Sequence, residues 1–283
     1  MSLIDLHCHS TRSDGLLAPA EVVRHAAARG VKVLALTDHD ETGGLAEARA
    51  AAQECGVTLV NGVEISVTRN NQTLHVLGLG IDPEHAGLAQ GLAGIRASRR
   101  ARAERMAVAL EKAGIRGSLE GAYAHASNPD MVGRTHFARF LVASGVVKDV
   151  RSVFKKYLVS GKPGYVSHQW AGLADAIGWI IAAGGMAVLA HPGRYKMNAK
   201  QMRLLLREFK GLGGTGIEVV SGSHTVEHVA IFARYARELD LRASGGSDYH
   251  GPGESYMDLG GFAALPPGCT PLWHDWDVMR AVL

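Results

Sequence analysis

The chain opens MSLIDLHCHSTRSDG, which places His7, His9 and Asp14 directly after a short apolar run. Residues two apart on an extended backbone point to the same face. His7 and His9 therefore aim both imidazoles one way, and Cys8 aims the other. Two adjacent imidazoles are poor packing and good metal ligands. The alternative is a buried strand whose end happens to carry polar groups, and further ligands at comparable positions decide between the two readings. They arrive repeatedly: His39 in TDHD, Glu64 in GVEIS, His75 at the head of LHVLGLG, His191 in LAHPGR, and Asp248 with His250 in GGSDYH. All nine are imidazole or carboxylate and none is a thiolate. That donor set suits manganese, iron or zinc and argues against a purely magnesium site.

The elements that must position these residues follow from the apolar patterning. Residues 3–6 read as a first strand. LAPAEVVRHAAARG reads as a helix, with Pro19 near its start and Gly30 just past its end. VKVLALTDHD is a second strand, and GGLAEARAAAQECG a helix closed by Gly56. VTLVNGVEISV and LHVLGLG are a third and fourth strand. LADAIGWIIAAGG, NAKQMRLLLREFKGLG and TVEHVAIFARYARELD are helices, followed in turn by the strands MAVLAHPG, GIEVVSG and LRASGGSD. About seven strands alternating with helices predict an α/β fold with a parallel sheet or barrel. In such a barrel, functional groups collect at the C-terminal ends of the strands, where most of the nine lie. His75 precedes its apolar run, so it must arrive from a strand of opposite sense or from a loop.

The rhythm breaks between Pro83 and Tyr165. LAGIRASRRARAERMAVALEKAGI reads as a long Arg-rich helix, and SLEGAYAHA, RTHFARFLVASG and DVRSVFKKYLVSG as three shorter ones. Phe137, Phe140 and Leu141, and Val153, Tyr157 and Leu158, sit at helical spacing as the core of a small helical subdomain. The expected organisation is a metal-binding barrel of residues 1–82 and 166–283, with a helical insertion of 83–165 covering the site.

Composition bounds the rest. The 283 residues are 47% hydrophobic and 20% charged, an ordinary globular balance. No apolar run reaches the roughly 18 residues of a membrane span, and no secretory signal is expected at the N-terminus. Cys8, Cys55 and Cys269 are scattered and odd in number, which suggests a reducing cytoplasm. A net charge of +3 does not mark a binder of duplex DNA. Six of the fourteen histidines, His25, His85, His125, His168, His228 and His274, fall into no usable pattern.

His-x-His, Asp14, TDHD, Glu64, His75, HPGR and SDYH together resemble the polymerase and histidinol phosphatase (PHP) domain, over nearly the whole chain. The resemblance implies a distorted (β/α)7 barrel with the helical insertion. It implies two or three divalent cations, most simply three, with manganese foremost and zinc, iron or magnesium as alternatives. In the implied scheme His7, His9, Glu64 and Asp248 hold one cation, and Asp14, His39 and His250 a second. His75 and His191, with Glu64 bridging, hold a third. VGRTHFARFLV and YLVSGKPGYVS resemble the phosphoesterase branch of the family. That branch includes phosphatases of 3′,5′-bisphosphorylated nucleotides and enzymes that trim short 5′-phosphorylated RNA from its 5′ end, and the chain looks closest to the former. PHP modules without catalysis occur beside polymerases, but the full ligand set and the lack of a polymerase domain disfavour that reading.

A phosphomonoester dianion repels hydroxide. Neighbouring cations answer this by activating a shared water and neutralising the phosphoryl oxygens, so no protein nucleophile is required. Asp14, Arg194 and His224 are the candidate catalytic groups. Arg194 would clamp the transferred phosphate, the alternative being a solvated loop residue. His224 would protonate the leaving oxygen, the alternative being a surface histidine at a helix start. Arg134 and His136, in a first helical turn, would hold a 5′-phosphate, with Ser127, Asn128 and Lys162 assisting; Arg134 could instead serve a structural ion pair. Arg96, Arg99, Arg100, Arg102 and Arg105 form a solvated face, or else steer polyanions or an RNA strand. Asp38 and Asp40 orient neighbouring groups. The expected partner is a small nucleotide or a short RNA, with no membrane and no set oligomeric state.

Overall fold

The computed structural model describes residues 2–276. The strands are β1 (Ile4–Asp5), β2 (Val33–Leu36), β3 (Thr58–Arg69), β4 (Gln72–Leu79), β5 (Ala171–Gly172), β6 (Met186–Leu189), β7 (Gly216–Ser221) and β8 (Arg242–Gly246). Seven of them follow the order β1-β2-β3-β4-β6-β7-β8, while the two-residue β5 pairs beside β3. Leu6 N–H donates to Gly245 O (3.1 Å) and Asp248 N–H to His7 O (2.8 Å), which brings the last strand against the first. The result is a nearly closed seven-strand barrel. Gly246 permits that seam, because a Cβ there would lie 2.3 Å from the Cβ of His7.

Neighbouring strands are parallel except around β4, which runs antiparallel to both β3 and β6. Asn70 and Asn71, both at positive φ (48° and 60°), make the hairpin turn into it. This reversed strand is why His75 faces the site despite leading its apolar run; it pairs in register with Ser66 of β3.

Helices α1 (Pro19–Ala28), α2 (Leu45–Cys55), α7 (Leu173–Ala182), α8 (Ala199–Gly211) and α9 (Val226–Glu238) cover the barrel. Their ends follow the expected chemistry: Pro19 opens α1, and Gly56 closes α2 at φ 65°. Ile177, Ile180, Leu205 and Phe209 from this layer are fully buried with Val63, Ile65 and Ile217 of the strands.

The insertion is α3 (Ala86–Lys112), α4 (Ser118–Ala124), α5 (Arg134–Ala143) and α6 (Val150–Val153). Leu88, Leu92 and Ile95 of α3 pack into the barrel core, whereas Ala103, Met106 and Leu110 pack with Phe137, Leu141, Val153 and Leu158 in a separate apolar cluster. Phe140 and Tyr157 border that cluster, partly buried. One helix thus belongs to both cores. The expected third short helix is instead α6 running into a π-helical turn, Phe154–Leu158, closed by Val159 N–H to Phe154 O (3.2 Å). The wider turn brings Val153 and Leu158, five residues apart and both fully buried, to the same side.

Candidate metal centre

The nine residues converge at one end of the barrel. His7 and His9 present Nε2 atoms 3.1 Å apart, while the Cys8 thiol turns away toward Ala35 O, as strand alternation requires. Glu64 lies at the middle, with no solvent exposure. Its Oε1 is 2.9 Å from both His75 Nδ1 and His191 Nε2. Its Oε2 is 2.8 Å from His39 Nδ1, 3.3 Å from His9 Nε2 and 3.4 Å from His7 Nε2. Asp248 Oδ1 sits 3.4 and 3.3 Å from the same His7 and His9 nitrogens. Asp14 Oδ1 is 3.4 Å from His250 Nε2 and 3.9 Å from His39 Nε2.

Four overlapping sets have donor atoms close enough to share an ion: His9–Asp14–His39–His250, His7–His9–Asp248, His7–Glu64–His191 and His39–Glu64–His75. Asp14 Oδ1, His39 Nδ1 and Glu64 Oε2, which face this cluster, are buried without a well-formed hydrogen bond. Buried polar atoms are normally satisfied. Orphaned lone pairs on imidazoles and carboxylates that face one another fit metal cations.

The electrostatics agree. Burial would raise Glu64, but His75, His39 and His7 overcome it and hold the carboxyl well below the usual range. Burial lowers His9 and His191 to about 3, so both imidazoles are neutral at pH 7. His250 moves the other way: burial lowers it, yet Asp14 and Asp248 carry it up to about 9. His191 and Asp248 sit at φ 27° and 55°, a backbone that such side chains rarely adopt, and this turns both inward at the strand ends.

Supporting contacts fix the ligands. Asp38 accepts from Ser10 N–H (2.7 Å), Ser10 Oγ (2.6 Å) and Ser13 Oγ (2.5 Å), tying down the loop that carries Asp14. Asp40 accepts from Ser66 N–H (2.7 Å), from Ser66 Oγ (2.8 Å) and from Arg99. Neither aspartate touches a ligand ring; both hold the backbone beside one. Thr135 Oγ1 donates to Asp14 Oδ2 (2.8 Å), a direct link from the insertion to the centre.

Beside the centre opens a cavity of about 1220 Å³, lined both by Asp14, His39, His75, Asp248 and His250 and by Arg99, Arg102, Arg134, Tyr165 and Trp170. Arg194 also lines it; its Nη2 donates to Asp248 and its Nε to Ser223 Oγ (3.0 Å).

Over residues 5–159, more than half its length, the sequence matches the PHP domain. The chain belongs to the PHP family. This PHP protein is 56% identical over 275 residues to a 3′,5′-nucleoside bisphosphate phosphatase of Chromobacterium violaceum, covering 97% of this chain and 96% of the relative. It is 44% identical over 270 residues to a 5′-3′ exoribonuclease of Haemophilus influenzae, covering 95% and 97%. Among solved structures, an amidohydrolase from Chromobacterium violaceum with bound sulfate and no metal superposes with a TM-score of 0.94 at 55% identity, covering 97% of this chain and 95% of that one.

Several other expected residues of the PHP protein do not reach the cavity. His224 donates from Nδ1 to Val219 O (3.0 Å) and accepts Gly193 N–H on Nε2 (3.1 Å). Burial lowers it to about 4. Neutral and fully engaged, it braces the turn carrying Arg194 instead of standing ready as a proton donor. His136 is 1% exposed, accepts Gly133 N–H (3.1 Å) as a helix cap, and is lowered to about 4 by burial. Asn128 donates to Arg12 O (3.0 Å), and Ser127 and Lys162 are exposed. None of these residues is among the described residues that line the cavity. The Arg-rich helix divides: Arg100 is solvated, while Arg99 and Arg102 are each 7% exposed and face inward.

Glu218 of β7 escaped the sequence reading. It is fully buried, accepts from His7 Nδ1 on Oε1 (2.9 Å) and takes His191 N–H on Oε2 (2.5 Å). A carboxylate that grips a ligand's second nitrogen sets its tautomer and orientation. The available signal was a lone Glu inside the apolar run GIEVV. Glu218→Gln cannot accept from both donors at once. Metal affinity, read by titration of the folded variant, should fall about 10- to 100-fold.

Proposed function

We propose that the chain is a metal-dependent phosphatase that removes the 3′-phosphate of 3′,5′-bisphosphorylated nucleotides, giving a 5′-nucleotide and inorganic phosphate. The observation that carries this reading is one cavity lined both by a carboxylate–imidazole cluster that suits cations and by guanidinium groups that suit a second phosphate. The 56% identity to a 3′,5′-nucleoside bisphosphate phosphatase supports it.

In this reading the barrel is residues 1–82 and 166–283, and the insertion 83–165 supplies Arg99, Arg102 and Arg134 to the cavity. His7, His9, Asp14, His39, Glu64, His75, His191, Asp248 and His250 hold three cations, manganese by preference. Bound there, the cations would supply an activated water and charge neutralisation at the phosphoryl oxygens. The chain's own residues set the geometry around that step. Glu64 touches members of all the ligand sets and fixes their spacing. Glu218 keeps His7 presenting Nε2 to the centre. Arg194 directs a guanidinium at the 3′-phosphate and relieves its charge as the P–O3′ bond breaks. Arg134, at the start of α5, holds the 5′-phosphate. Its side chain lies over the Phe154 ring, 5.6 Å from the centroid.

The test is phosphate release from adenosine 3′,5′-bisphosphate with manganese, beside 3′-AMP, 5′-AMP and a 5′-phosphorylated RNA tetramer. Fast release from the bisphosphate alone is the expected result. Arg134→Ala should lower kcat/KM for the bisphosphate about 30-fold, chiefly through KM, because a charged hydrogen-bonding partner is lost. Unchanged turnover would remove Arg134 from the anchor.

A second reading, 5′-to-3′ trimming of short RNA, is favoured by the size of the cavity. Its 1220 Å³ exceeds the roughly 300–1,000 Å³ of ordinary small-molecule pockets. Breaking the same P–O3′ bond would release a 5′-nucleotide from an RNA end. Stepwise shortening of the tetramer at a rate similar to bisphosphate turnover would favour it.

A further inference from the structure

Asp14 and His250 lie further past the ends of β1 and β8 than His7 and Asp248 do, so the sheet fixes less of their position. Of the four donor sets, His9–Asp14–His39–His250 is the one that depends on them. The sets that contain His7 are braced from within the barrel by Glu218. Asp14 and His250 are reached instead from α5 of the insertion. Arg139, 8% exposed, donates from Nη2 to Asp14 O (2.6 Å). Its Nε and Nη2 also donate to Glu254 Oε1 and Oε2, each at 2.9 Å. Beside Glu254, Ser255 Oγ accepts His250 N–H (2.7 Å) and Gly251 N–H (3.0 Å). The two segments also meet directly, through Leu16 N–H to His250 O (2.7 Å). Thr135, one turn earlier on α5, donates to Asp14 Oδ2 and leaves Oδ1 facing His250 and His39. One guanidinium thus joins three segments of chain, two of which carry ligands.

A fork-to-fork guanidinium–carboxylate pair fixes both the distance and the plane of its partners. Burying such a pair is costly, and what it gives in return is geometry. A cation binds tightly only where its donors are already held in place. We propose that the Arg139–Glu254 pair is a clamp that positions Asp14 and His250, and so sets the affinity of the one cation bound by His9, Asp14, His39 and His250. This rests on the metal-dependent reading above and assigns one of its sites to the insertion's control. Arg139 holds the backbone of Asp14, Thr135 holds the rotation of its carboxylate, and Glu254 carries the restraint to the segment of His250.

The test is calorimetric titration of the chelator-stripped protein with manganese, without substrate, for wild type, Arg139→Met, Glu254→Gln and Asp14→Asn. Asp14→Asn removes a donor and so marks which binding step belongs to this site. Arg139→Met keeps an apolar stem and removes the fork. It should raise the Kd of that same step about 10- to 100-fold and leave the other steps in place. Glu254→Gln keeps the shape of a partly exposed side chain, so it tests the clamp even if R139M folds poorly. Its amide turns an N–H toward the guanidinium, and the same step should weaken. The double variant should weaken it no further than R139M alone, because the two residues act as one. A merely structural pair would lower the unfolding temperature and leave the manganese isotherm unchanged, or weaken every step alike; either result overturns the proposal, as do losses that add in the double variant. The titration needs no turnover. A selective loss supports the clamp even if no phosphate is released from the bisphosphate, and an unchanged isotherm overturns it even if release is fast.

Discussion

Replacing Glu64 with glutamine is expected to lower phosphate release by on the order of 10³-fold or more, beyond the roughly 10- to 100-fold typical of a residue that acts through a ligand. Glu64 is the one carboxylate that approaches five of the six ligand histidines, at 2.8–3.4 Å. Its two oxygens face different partners: Oε1 the pair His75 and His191, Oε2 the group His7, His9 and His39. An amide of the same shape removes the negative charge and turns one of the two acceptors into a donor. That donor would point at nitrogens whose lone pairs are needed for metal. Because shape is conserved in a fully buried position, the variant should fold. The measurements are metal content after purification, thermal unfolding, and phosphate release from the bisphosphate. A folded variant with full metal content and more than a tenth of wild-type activity would remove Glu64 from the centre of the site.

Removing metal by chelation should abolish phosphate release and lower the unfolding temperature together. Ligand present at about one hundred times its Kd stabilises a fold by about 2.7 kcal/mol. For a chain of this size each kcal/mol moves the midpoint by roughly 2–4 °C. A loss of roughly 5–10 °C is therefore expected, reversed by adding manganese.

The pH dependence of reloading has a definite sign. His250, carried up to about 9 by Asp14 and Asp248 against the effect of burial, is protonated at pH 7 in the metal-free protein. It must lose that proton to become a ligand. Metal affinity should therefore rise from pH 7 toward pH 9, and loading at pH 7 should release protons. Calorimetry in buffers of different ionisation enthalpy reads that release directly. His9 and His191, lowered to about 3, are already neutral and add no pH dependence in this range. Burial lowers His7 and His39, yet Glu218, Glu64 and Asp248 carry His7 well above its usual range, and Glu64 and Asp14 raise His39, so both act in the same direction as His250. Affinity independent of pH between 7 and 9 would overturn the assignment of these imidazoles as ligands.

The cavity's arginines and the ligand cluster differ in how they can be read. The nine candidate ligands were visible because each is fixed by local order. Strand alternation puts His7 and His9 on one face, and barrel topology gathers strand ends into one place. The opposite sense of β4, inferred from the position of His75 before its apolar run, is present as the Asn70–Asn71 hairpin. Helix ends at Pro19 and Gly56 were equally local, set by proline's missing N–H and glycine's freedom at positive φ.

What the sequence by itself determined was the inventory of candidate ligands, the order of elements and the family resemblance, because these depend on residue type and on neighbours a few positions away. Tertiary structure alone decided which polar groups are spent and which are free. His224 and His136 have suitable chemistry, but backbone N–H groups occupy their lone pairs. Glu218 looked like an accident in an apolar strand until it met His7, more than two hundred residues away along the chain. Arg102 looked like one charge on a solvated helix face until Trp170 covered it and no carboxylate came to meet it. Burial and pairing are properties of distant surfaces brought together, and the desolvation of a lone charge exists only once the chain has closed around it.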